Sequence, residues 1–138
     1  LWKLEVIERS GQGASYSDAA GGFEYTFAGV FTTGMDFGLI AELLYDSRNA
    51  AAPTPFQRDL LLGGRLAFNN SQSTDLLVGL IYDPDFASFV ANIEGSRRIG
   101  ERWKLSIEAR SYTGIGTGDP LYAFRDDDYL QVELGWFF

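Results

Sequence analysis

Glu94 and Glu108 are the carboxylate pair that could work as general acid and base. Asp83, Asp85, Asp119 and the run Asp126-Asp127-Asp128 could hold Ca²⁺ or Mg²⁺, since hard cations take carboxylate oxygens. Little other chemistry is available. The 138 residues include no histidine, the commonest general base and metal ligand. They include no cysteine either, so disulfides, thiolate sites and thiol nucleophiles are excluded. Asp83-Pro84-Asp85 lacks the spacing of a calcium loop, and the acids read better as a solvated rim than as a cation site. Gly114-Ile115-Gly116-Thr117-Gly118 opens no helix and reads as loop flexibility, not as a phosphate cradle. With 11 Lys+Arg against 19 Asp+Glu the net charge is −8, which argues against a nucleic-acid partner. No cofactor is implied.

The elements that must position these groups alternate with period two. One face of 126–138 reads Leu130, Val132, Leu134, Trp136, Phe138, and the other reads Tyr129, Gln131, Glu133, Gly135, Phe137. In 102–112, Trp103, Leu105, Ile107 and Ala109 oppose Lys104, Ser106, Glu108 and Arg110. Segments 22–33 and 58–70 alternate in the same way. A helix would scatter such sets around its axis, so the pattern predicts strands. Segments 2–10, 36–46, 75–83 and 88–98 follow it less cleanly. Leu39 to Leu44 are good helix formers, but a strand is preferred there because its neighbours leave no other partner. The expectation is one all-β domain over 1–138 with eight antiparallel strands.

Thr32-Thr33-Gly34-Met35, Asn69 to Ser73 and Gly100-Glu101 read as short hairpin turns after even strands. Segments 11–20, 47–57 and 113–125 read as long loops after odd strands, with Asp83-Pro84-Asp85 a shorter member of that set. Short turns then share one end of the sheet and long loops the other. No apolar run reaches the ~18 residues of a membrane helix, which leaves a membrane β-barrel open. A soluble carrier barrel would turn its apolar face inward, and a membrane barrel inverts that. Three features favour inversion: apolar faces about five residues deep, matching a ~25 Å hydrocarbon band; aromatics at the ends of those faces; and the asymmetry of turn length.

The stretch Tyr129 to Phe138 resembles the C-terminal strand of bacterial outer-membrane β-barrels, which ends in Phe with apolar or aromatic residues at alternate positions before it. Leu130, Val132, Leu134, Trp136 and Phe138 fill those positions. The resemblance implies a transmembrane antiparallel up-and-down β-barrel in the outer membrane. It implies outer-membrane lipid and lipopolysaccharide around it, and an assembly signal in these five residues for the barrel-assembly machinery. Palmitoyl transferases, phospholipases, deacylases and aspartyl-type proteases built on barrels resemble the chain in architecture but rely on histidine, so no enzyme is expected. The inward face would hold Glu5, Glu24, Glu42, Asp46, Asp59, Glu94, Glu108 and Glu133 with Lys3, Arg9, Arg65, Arg98, Lys104 and Arg110. An eight-stranded lumen is only wide enough for side chains. Glu42, Arg65, Glu94, Arg98, Lys104, Glu108, Arg110 and Glu133 are therefore expected to pair across it and seal it, which suits a structural or loop-presenting role. The alternative is that the chain, which starts at Leu1 already inside a strand, is the C-terminal part of a larger porin-like barrel for small solutes. The tail from Asp119-Pro120-Leu121-Tyr122 through Arg125 to Gln131 resembles the tails of longer proteobacterial barrels.

Overall fold

The computed structural model describes residues 1–11, 13–31 and 33–138; Thr32, expected in the first short turn, lies outside the described residues. Eight strands follow one another in chain order: β1 (Trp2–Arg9), β2 (Tyr16–Val30), β3 (Met35–Asp46), β4 (Leu60–Ala67), β5 (Asp75–Asp83), β6 (Ser88–Ile99), β7 (Trp103–Thr113) and β8 (Tyr129–Trp136). Each pairs antiparallel with the next, giving one up-and-down sheet in the order β1 to β8. The region 36–46 is strand, not helix: Leu39 to Leu43 pair with β2 on one side and with β4 on the other.

The sheet is not closed into a barrel. That corrects the expectation of closure. Among the described residues β1 pairs with β2 alone and β8 with β7 alone, so each presents one row of unpaired backbone groups. With eight strands the first and last run in opposite directions. Either edge can accept a further antiparallel strand.

Register carries the alternation across all eight strands. Val6, Ala19 and Tyr45 share one face, as do Leu4, Gly21, Leu43, Leu60, Tyr82 and Phe89. The same face continues through Val78, Ile93, Ala109 and Leu130, and through Leu76, Gly95, Ile107 and Val132. Arg97, near the end of β6, and Glu8, near the end of β1, are its charged exceptions. A one-residue slip in any strand would exchange the faces, so this continuity locks the pairing. Trp103 and Trp136 meet at 6.2 Å, Tyr82 and Phe89 at 4.6 Å, and Trp2 and Phe23 at 5.5 Å, placing aromatic cross-strand pairs at the margins of the face.

Two differences from the sequence reading change the loops. β2 starts at Tyr16, not at 22, so the first loop is only 10–15. Ser17 to Gly22 have weak strand propensity, but they pair with β1 from Lys3 to Glu8, and small residues there let β1 and β3 approach. A Cβ on Gly22 would collide with the Ala41 carbonyl oxygen. The second difference follows from the first: large loops at the odd-strand end are confined to 47–59 and 114–128. At the opposite end β2 and β3 are joined through a bulge between Phe27 and Val30, where Gly29 takes φ +65°. Asn69 donates to the Gly34 carbonyl and to Asp36 Oδ2, each at 2.8 Å, and ties the first two short turns together.

No hydrophobic side chain is buried among the described residues. Trp2 and Leu4 are 83 and 75 % exposed on one edge, and Leu130 and Val132 are 66 and 62 % exposed on the other. The buried side chains are all polar: Asp46, Gln57, Asp59, Asp83, Ser88 and Asp119, gathered at the long-loop end.

Candidate functional site

The polar face is built by the other half of the register. One row runs Glu24, Ile40, Gly63, Gly79, Asn92, Arg110, Tyr129, and the next runs Thr26, Gly38, Arg65, Leu77, Glu94, Glu108, Gln131. A third holds Asp36, Ala67, Asp75, Ser96, Ser106 and Glu133. Glycine and alanine sit beside long polar side chains, so Arg65 lies opposite Gly38 and Asn92 opposite Gly79. Over β4 to β8 these rows enclose a groove of about 400 Å³ that reaches Arg65, Asp75, Glu94, Lys104, Glu108 and Glu133.

All eight residues expected in the charge network lie on this face, but the structure joins them locally. Arg65 Nη2 bonds Asp75 Oδ1 at 2.8 Å, from β4 to β5. Arg110 Nη2 lies 3.7 Å from Glu108 Oε1 on the same strand. Glu94 accepts from Asn92 Nδ2 at 2.8 Å, Arg110 Nε donates to Asn92 at 3.5 Å, and the Tyr129 hydroxyl donates to Glu108. Glu94 and Glu108 are directly opposite one another across β6 and β7, as are Arg98 and Lys104. Glu42, Arg98, Lys104 and Glu133 make no ion pair within 4 Å among the described residues. None of the ion pairs between described residues spans the space in front of the sheet.

Sequence reasoning missed Asp75, Asn92 and Tyr129 as partners in this network. Asp75 lies opposite Ala67 and reaches Arg65 diagonally across the hairpin, a contact that the spacing signals only once the turn is placed. Asp46 and Asp59, assigned to the lumen, belong instead to the loop end. Asp46 forks onto Arg48, with contacts of 2.9 Å to Nε and 2.6 Å to Nη2, while the Arg48 guanidinium stacks 3.7 Å over Tyr16 and reaches Asp18 at 3.7 Å. Asp59 precedes β4 and exchanges backbone hydrogen bonds with Leu44.

The acidic run is also part of the fold. Asp128 accepts from the Tyr112 backbone at 2.7 Å and from the Ser111 hydroxyl at 3.2 Å, and Asp126 pairs with Arg125 at 3.0 Å. Among the described residues no three acidic side chains are arranged to hold a metal ion. Of the five residues of the expected assembly signal, Leu130, Val132, Leu134 and Trp136 stand on the apolar side of β8, and Phe138, just beyond it, makes edge-to-face contact with Trp136 at 5.2 Å. No family model, curated protein or solved structure matches the chain.

Proposed function

We propose that the sheet is part of the wall of an outer-membrane β-barrel, its apolar face toward lipid and its charged face toward an aqueous lumen through which small polar solutes pass. The observation that carries this reading is an apolar face continuous from β1 to β8 while no hydrophobic side chain is buried among the described residues. Such a face needs an apolar medium, since soluble proteins rarely expose contiguous patches beyond a few hundred Å². In hydrocarbon, unpaired backbone groups cost several kcal/mol each, so β1 and β8 require partner strands. The open edges and the short-range ion pairs favour a barrel with more than these eight strands, wide enough to hold water.

A closed eight-stranded barrel with a sealed lumen would need β1 and β8 to pair, which their opposite directions allow, and is the reading to be separated from the wide pore. Ion currents of the full-length gene product in planar bilayers, measured with its protein mass per particle, separate the two. Steady ohmic openings from a particle holding more than eight strands are expected. A silent particle of one chain, with β1 paired to β8, would overturn the wide-pore reading.

A further inference from the structure

The hairpin tip between β6 and β7 gathers positive charge in a chain whose net charge is −8. Residues 97–104 hold Arg97, Arg98, Arg102 and Lys104, four of the 11 Lys and Arg, against a single acid, Glu101. All eight residues are exposed. Among the described residues none of these four bases makes an ion pair within 4 Å. At the long-loop end, by contrast, Arg48 is held by Asp46 and Asp18, Arg58 by Asp85 and Arg125 by Asp126. Arg98 and Lys104 stand directly opposite one another on the polar face, a like-charge pairing that weakens a sheet unless an anion offsets it.

The groups of a membrane interface surround this tip. Arg97 stands on the apolar face, opposite Leu105. Trp103 shares that face with Ile99 and Trp136, its ring 6.2 Å from the second indole. The Phe137 amide donates to the Arg102 carbonyl at 2.7 Å, so the turn and the end of β8 form one rim. Indoles settle at headgroup level. An arginine on a lipid face is tolerated near the interface, where its stem lies on apolar surface and its guanidinium reaches phosphate.

We infer that the 97–104 tip binds the phosphates of anionic phospholipid headgroups in the leaflet at the short-turn end. The inference rests on the membrane-wall reading and names the lipid that the wall selects. Bases clustered beside a membrane span attract anionic lipid, and guanidinium can take phosphate oxygens two at a time. The other short turns, 31–34 and 68–74, carry no Lys or Arg, which confines the contact to one point of the rim.

The test is the electron spin resonance of nitroxide-labelled phosphatidylglycerol and phosphatidylcholine in vesicles holding the full-length gene product. A motionally restricted component reports lipid held at the protein. The restricted fraction should favour phosphatidylglycerol several-fold and lose that preference as sodium chloride is raised. Arg97→Gln combined with Arg102→Gln should bring the two lipids close to parity, Arg97→Lys should keep most of the preference, and Arg125→Gln at the long-loop end should leave it unchanged. Equal fractions in the parent chain, or a preference that survives the double glutamine variant, would overturn the headgroup contact and leave the membrane wall standing. Sodium phosphate erasing the preference more than sodium chloride at equal ionic strength would make the tip a site for the free ion and overturn the lipid assignment. No restricted lipid of either kind would overturn both the contact and the wall.

Discussion

Neighbouring residues on β7 carry opposite burdens. Ile107 shares a row with Gly95 and Val132 on the apolar face, and Ser106 shares one with Ser96 and Glu133 on the polar face. An arginine at mid-bilayer depth on a lipid face costs about 2–4 kcal/mol, whereas a lumen position tolerates it. Refolding into lipid vesicles should therefore show Ile107→Arg destabilised by about that amount and Ser106→Arg little changed. The reverse order would mean that the faces are exchanged. The residue scale is also where the sequence was least legible. Asp59 alternates as a lumen residue would, yet it lies outside β4 among other acids, because its backbone pairs with Leu44 and its loop folds back. Its place depends on where the 47–59 connection returns, which period-two counting does not encode.

At the scale of elements, alternation located all eight strands because every strand has one apolar face, and that signal survives reading in isolation. The N-terminal half of β2 escaped it. Ser17-Asp18-Ala19-Ala20-Gly21-Gly22 has neither β-branched nor aromatic residues, and its strand conformation comes from pairing with β1 and β3. Closure was equally beyond the pattern, since an even number of strands is compatible with a closed barrel or an open sheet. β8 offers a separate test. Phe138 is fully exposed at the end of the edge strand and contacts Trp136, so its removal takes away little packing. Deleting it should slow or abolish membrane insertion in cells while refolding into detergent micelles stays nearly intact. Equal loss in both settings would make Phe138 a structural residue and not a recognition element.

Across the whole sheet one face is apolar and exposed, the other carries the charge, and the side chains buried among the described residues are all polar. The faces of the central strands and the edges agree on this division, from Trp2 on β1 to Trp136 on β8. The most direct test is a nitroxide scan of 130–134 on β8, one cysteine at a time, in the chain reconstituted into lipid vesicles. Oxygen, which concentrates in hydrocarbon, and a water-soluble nickel chelate would serve as the two relaxing agents. Labels at Leu130, Val132 and Leu134 should relax with oxygen, and labels at Gln131 and Glu133 should relax with the chelate, in strict alternation. Alternation of the opposite phase, or uniform access of the chelate to all five positions, would contradict the membrane-wall reading.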